Sequence, residues 1–185
     1  MSEDPAPREA DSELPFVIEP ATLEDVEACC LIECEAARAY RDAGLEAAYA
    51  LPGVPRAAIR QAIADRMLWM ARWQAPDMPV GFALARYIDG QVHLHELDVL
   101  PLFQRQGVGR ALVRHLLGWA HQEGLSRVTL LTFQDVPWNA PFYRRLGFET
   151  LAETERGPQF IRLVRHEHMI GLPEIAPRVA LMFRL

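Results

Sequence analysis

The chain has 185 residues, half of them hydrophobic and 24% charged, enough for one domain with a sizeable core. Its formal net charge of −6 argues against nonspecific binding to nucleic acid or to an anionic membrane as a main role. All 19 basic residues are arginine, so a Schiff-base lysine and a P-loop lysine are both excluded.

In chain order, residues 1–14 are acidic and rich in Pro and Ala, which predicts a disordered tail ahead of a domain spanning 15–185. That stretch lacks the basic start and apolar core of a secretory signal, and no apolar run approaches the roughly 18 residues of a membrane span, so a cytoplasmic location is expected. "PFVIEPAT" (15–22) reads as a strand, and "TLEDVEACCLIECEAARAY" (22–40) as an amphipathic helix with Thr22 as N-cap. Its three cysteines, Cys29, Cys30 and Cys34, are odd in number and neighbours on one helix. They cannot form a disulfide framework and read as half-buried thiols in a reducing compartment. Residues 42–55 form a loop punctuated by Gly and Pro, and 56–65 a second helix. Three strands follow, over 66–73, 79–88 and 91–100, the last two joined by Asp89–Gly90, a two-residue hairpin signal.

Beyond a glycine loop, Val108, Ala111, Leu112, Leu116, Trp119 and Ala120 recur at helical spacing, with Gly124 placed to cap the helix. "RVTLLTF" (127–133) is a buried strand, 137–147 a short helix opened by Pro137 and closed near Gly147, and 148–153 and 178–185 are closing strands. The expected order is β-α-α-β-β-β-α-β-α-β-β, an α/β domain built on one mixed sheet.

The loop "QRQGVGRAL" (104–112) follows a strand and opens a helix. There, successive backbone N–H groups and the helix dipole converge on a point that suits a phosphate, and Gly107 and Gly109 permit close approach. Residues 99–122 hold three arginines, Arg105, Arg110 and Arg114, and no acid, a local positive patch on an acidic chain. A Walker loop is excluded by the missing lysine. The dinucleotide fingerprint is disfavoured because Leu112 stands where its third small residue belongs.

Strand, "QRQGVG", helix and then "FYRRLGF" some thirty residues on resemble the GNAT superfamily of acyl-CoA-dependent N-acyltransferases. The likeness is densest over 92–150. It implies a fold of about seven mostly antiparallel strands with a splayed central pair and about four flanking helices. It also implies acetyl-CoA as co-substrate, with no metal. The pyrophosphate would sit on the N–H groups of Arg105, Gln106, Gly107, Val108, Gly109 and Arg110. The pantetheine arm would pair with the backbone of Leu97, Asp98 and Val99. Many members carry an Asn seven residues before the Tyr of this motif; here that position is Val136, and Asn139 is the candidate substitute.

Strict alternation places His93, His95, Leu97 and Val99 on one face of their strand and Leu94, Glu96 and Asp98 on the other. The two imidazoles, joined by His166 and His168, are open to three readings: metal ligands, a satisfied structural pair, or proton acceptors. Amine acetylation favours the third. An alkyl ammonium is only about one part in a thousand neutral at pH 7, a cost of about 4 kcal/mol that a near-neutral base offsets. The stretch 92–109 is similar to the arylalkylamine N-acetyltransferase branch, whose His-x-His pair relays the amine proton. By that resemblance His93 and His95 are the catalytic relay, with Glu96 and Asp98 in reserve. Tyr143 is the acid for the departing thiolate, its phenol pKa expected to be eased downward by Arg144 and Arg145.

The resemblance lines the acceptor pocket with Tyr40, Tyr49, Met67, Trp69, Trp73 and 166–175, each equally readable as core. A small primary amine attacked by direct transfer in a ternary complex is the leading expectation. A protein or peptide N-acetyltransferase of the same fold and a non-catalytic acyl-CoA-sensing module are the alternatives. Retention of both histidines and Tyr143 argues against the last. A homodimer through the closing strands is compatible with the pattern.

Overall fold

The computed structural model describes residues 14–185, so the expected tail lies outside the described residues apart from Leu14. Antiparallel pairing builds the first half of the sheet from β1 (Phe16–Pro20), β2 (Leu68–Gln74), β3 (Asp77–Ile88) and β4 (Gln91–Val99), each hydrogen-bonded to the next. The β3–β4 turn is the expected two-residue hairpin, with Asp89 and Gly90 both at positive φ (52° and 72°). The second half is β5 (Arg127–Phe133), β6 (Glu149–Thr150) and β7 (Arg178–Arg184), and the full order is β1-β2-β3-β4-β5-β7-β6.

Only one join in this sheet is parallel. β4 meets β5 through two residue pairs, Val92 with Val128 and His93 with Thr129, and the strands then part. From Leu94 to Val99 the β5-facing edge of β4 has no strand partner, which is the splayed central pair.

The helices α1 (Val26–Asp42), α2 (Glu46–Tyr49), α3 (Arg56–Ala64), α4 (Val108–Gln122), α5 (Ala140–Arg145), α6 (Pro158–Met169) and α7 (Leu172–Ile175) cover both faces. α1 begins after a short 3-10 turn in which the Asp25 carboxylate accepts the N–H (2.8 Å) and hydroxyl (3.1 Å) of Thr22; Thr22 stands at the N-cap of that turn, while the N-cap of α1 itself is Asp25, three residues later than expected. On one face, α4 buries Val108, Leu112, Leu116 and Ala120 against Val92, Leu94, Val128 and Leu130. Each large aliphatic side chain in that layer contributes roughly 1.5–3 kcal/mol. On the other face, α1 and α3 pack Cys29, Ile32, Ile59 and Ala62 onto Leu68, Met70, Phe82 and Leu84, and α6 sets Phe160 against Ile88, Leu151 and Met182. The cysteines are free: Cys29 is buried, Cys30 half-buried and Cys34 exposed.

Several segments differ from expectation. The 42–55 loop contains α2, the short helix begins at Ala140 rather than Pro137, and the strand expected over 148–153 is only Glu149–Thr150. α6 and α7 are additional. The α6 stripe runs Phe160, Leu163, Val164 and then Glu167, whose buried carboxylate takes a place where periodicity asks for an apolar residue. It is satisfied by a two-point pair with Arg178, at 2.6 and 3.0 Å.

Strict alternation along β4 also fails. Leu84 pairs with Glu96 and Ala85 with Leu94, so His95 is the extra residue of a β-bulge. Leu94, Leu97 and Val99 consequently share the α4 face. His93 faces Phe160 of α6, and Glu96 and Asp98 turn to that same side, towards α1.

Candidate active site

The parting of β4 from β5 leaves a cleft, and the sequence motifs collect around it. At one lip, Gly107 caps α4 with φ of +90°, a left-handed conformation that glycine adopts without strain. A Cβ there would meet nothing within 4 Å, so the approach to the first N–H groups of α4 is open. Arg105, Gln106 and Arg110 are exposed around this turn, while Val108 is buried and offers only its backbone. Two loop side chains brace the turn: Gln104 donates to the Val99 carbonyl (3.1 Å) and Gln106 to that of Leu102 (2.8 Å). A Cβ on Gly109 would lie 3.7 Å from both Phe142 and Val99, so α4 and α5 approach closely at this point.

The other lip is α5. Tyr143 is 8% exposed and packs edge-on to Phe142 and Phe148. Burial, then the nearby carboxylate of Glu96, then Tyr40 and Asp98, push its phenol well above the ordinary value. The expected downward easing by Arg144 and Arg145 does not occur, because both side chains face solvent. Asn139, at the N-cap of α5, donates its side-chain amide to Tyr40 Oη (3.0 Å) and so ties this lip to α1.

Between the lips lie the β4 side chains. His93 is 2% exposed; its Nδ1 stands 3.0 Å from Thr129 Oγ1, which itself donates to the Val92 carbonyl (3.4 Å). That chain assigns the proton to Nδ1. Burial first, then the Arg86 guanidinium, push His93 well below its usual value and His95 down to about 4. Neither imidazole keeps the near-neutral value that the sequence suggests. That property belongs to Glu96, pushed up to about 7 by burial and by Glu33 of α1, against a lowering contribution from Arg178. Asp98 is also raised, by burial, Glu96 and Glu33, and its Oδ2 is buried without a hydrogen-bond partner. Glu33 is held in place by Val54 N–H at 2.7 Å.

Three carboxylates therefore share one enclosure with Tyr40 and Tyr143, and sequence reasoning underrated two of them. The missed signal was the bulge, which alternation cannot reveal. Of the expected acceptor residues, Tyr40 borders this enclosure, against Trp138 (5.8 Å) and Phe133 (5.7 Å). Met67, Trp69 and Trp73 belong to the core on the α4 side, and Tyr49 packs against Arg41. His166 and His168 lie exposed on α6, away from the β4 pair. Among the described residues no group of three or more His, Cys, Asp or Glu is placed to hold a metal ion. No helix among them is long and apolar enough to cross a membrane.

A mixed sheet opened between two parallel strands, with a glycine-led helix at one lip and a tyrosine-bearing helix at the other, is the architecture of acyl-CoA-dependent transferases. The sequence profile of the acetyltransferase (GNAT) family matches residues 30–148, and the chain belongs to that family, whose members use acetyl-CoA. Solved structures share the fold at low identity. N-acetylglutamate synthase from Neisseria gonorrhoeae, complexed with coenzyme A and N-acetyl-glutamate, superposes with a TM-score of 0.67 and 19% identity over 92% of this chain. The match spans 35% of that longer chain. Rv2747 from Mycobacterium tuberculosis, in complex with CoA, gives 0.66 and 20% over 91% of this chain and 99% of its own. The ribosomal-protein-S18-alanine N-acetyltransferase of Escherichia coli gives 0.64 and 17%, over 91% and 93%.

Proposed function

We propose that this enzyme acetylates a small primary amine by direct attack on acetyl-CoA, with Glu96 as the group that first takes the amine proton. The observation carrying this reading is a carboxylate raised to about 7 at the point where the sheet opens, on the side that Tyr143 also faces. The pantetheine arm lies along the unpaired edge of Leu97, Asp98 and Val99, and the pyrophosphate on the N–H groups from Arg105 to Arg110. Asn139 reaches the arm from the α5 side only by sharing its amide with Tyr40.

The amine enters beside the Glu33, Glu96 and Asp98 carboxyls, which burial and mutual repulsion hold towards their protonated forms, and Glu96, at about 7, is the one that is half-ionised near neutrality. Glu96 removes one proton, and the nitrogen lone pair attacks the thioester carbonyl carbon. The C–S bond then breaks, Tyr143 gives its phenolic proton to the departing sulfur, and the second amine proton returns to Tyr143. The proton on Glu96 leaves to solvent, so amide, CoA thiol and one proton are the products. In this sequence His93 and His95 stay neutral and line the site beside Glu96 rather than accept the first proton.

A small acceptor is favoured over a peptide because α2 and α7 meet over Phe133 and Val136, with Tyr40, Leu45, Leu172 and Ile175 filling the space between. That closes the side where a peptide groove would run. The domain is taken to span 15–185, and the free cysteines suit a reducing, cytoplasmic setting. The experiment is acetyl-CoA-dependent thiol release against arylalkylamines, polyamines, aminoglycosides and short peptides. Turnover of one small-amine class is expected; turnover confined to peptides would overturn the acceptor assignment.

A further inference from the structure

On the α4 side of the sheet, away from the three carboxylates, the C-terminal half of α4 faces the end of β1 and the turn between α3 and β2 across an open groove. Its volume is about 710 Å3, and it is open to solvent along one side. No carboxylate lines it, although the chain carries six more acids than bases. Arg66 and Arg114 do line it, both exposed, and neither forms an ion pair among the described residues. Its apolar wall is aromatic: Trp119 lies 5.2 Å from Trp69 and is itself half-buried, with His115 beside them.

Two residues at this groove are ones the local backbone would exchange. Gly118 sits in the interior of α4, where alanine is favoured, and a Cβ there would meet nothing within 4 Å. Packing within the chain does not require the glycine; its effect is to leave the groove floor open. Arg66 stands just past the end of α3 at φ of +56°, where its N–H reaches Ile63 O (3.0 Å) and the next N–H reaches Ala62 O (2.8 Å). Glycine is the relaxed residue at that position of a helix end, yet the chain places a guanidinium there. Both departures favour the same thing, an open, cationic, aromatic slot.

We infer that this groove is a second binding site, for a small carboxylate carried on a flat aromatic ring, with the ring on Trp119 over Gly118 and the carboxylate between Arg66 and Arg114. A guanidinium matches a carboxylate in charge and in planar geometry, and an indole face receives a flat ring. The inference is independent of which amine the enzyme acetylates.

The test titrates the full chain, with acetyl-CoA present in excess so that the donor cleft is filled, using indole-3-carboxylate as probe and indole-3-carboxamide as its neutral twin. One carboxylate per chain is expected to bind calorimetrically, with the amide about tenfold weaker or more. Arg114→Gln and Gly118→Leu should each weaken the carboxylate about tenfold. Arg66→Gly should do the same while raising the melting midpoint, so that its loss of binding cannot be ascribed to misfolding. No saturable binding up to about 1 mM, equal binding of the amide, or unchanged affinity in the three variants would each overturn the site.

Discussion

In the proposed mechanism Glu96 takes the first proton, and two measurements would report on its raised carboxyl. A carboxyl with folded pKa about 7 against an ordinary value of 4.5 is deprotonated only near neutrality. The acid limb of kcat/KM is therefore expected near pH 7. His95, pushed down to about 4, would place the limb three pH units lower if it were the first acceptor. Glu96→Gln should lower kcat/KM by about 10²–10⁴-fold and remove the limb near 7; a limb that persists unchanged would mean that another group takes the first proton. The same shift sets a stability signature. The folded state holds this proton more tightly than the unfolded chain does, so the stabilisation is fully present below about pH 4.5 and is lost as pH rises through about 7. Glu96→Gln should accordingly melt higher than the parent at pH 8 and no higher at pH 4. Tyr143→Phe tests the other lip: packing on Phe142 and Phe148 survives the change, so the fold should hold while turnover falls by about 10²-fold or more at every pH.

At the level of elements, the motif-bearing segments were legible in the sequence because their chemistry is local. Asp89–Gly90 announces its hairpin and Gly107 its helix start whatever surrounds them. The β4 faces and α6 were not legible, for one shared reason: each depends on a partner distant in sequence. The bulge at His95 exists only in the register against Leu84 and Ala85, and it is what carries Glu96 and Asp98 to the α1 side. Glu167 passes for a surface residue until Arg178 is brought beside it. α6 depends on a further distant contact, which gives a prediction. The Asp89 carboxylate accepts the N–H groups of Gln159 (2.8 Å) and Phe160 (2.9 Å) in the first turn of α6, and Asp89 N–H donates in return to Gln159 Oε1 (2.6 Å). Asp89→Ala should cost about 1–2 kcal/mol by loss of this cap and should release α6 amides to hydrogen exchange ahead of the α4 core. Gly157→Ala attacks the same junction sterically, since its Cβ would overlap the Asp89 carboxylate. Exchange of α6 unchanged in both variants would mean that Phe160 packing and the Glu167–Arg178 pair hold the helix without this cap.

For the molecule as a whole, the sheet is two halves joined by the short β4–β5 ladder, and the pieces that bridge them are helices rather than strands. α4 packs on both halves at once, through Leu94 on one side of the gap and Val128, Leu130 and Leu181 on the other. Acetyl-CoA along the open edge of β4 would add a third bridge, between the α4 turn and α5. A ligand that binds only the folded chain stabilises it by about 2.7 kcal/mol at a hundredfold excess over Kd. For a chain of this size each kcal/mol moves the midpoint by roughly 2–4 °C, so acetyl-CoA at that excess should raise Tm by about 5–10 °C. Gly109→Trp isolates the cause. Its Cβ would already sit 3.7 Å from Phe142 and Val99, so the indole must crowd the α4–α5 contact beside the expected pyrophosphate position; the shift should vanish, and the unliganded midpoint reports how much of the loss is structural. Gly109→Ala fits at ordinary contact distance and should keep most of the shift. If the tryptophan variant were stabilised as much as the parent, the pyrophosphate would have to rest elsewhere, and the glycine loop would be only the start of a helix.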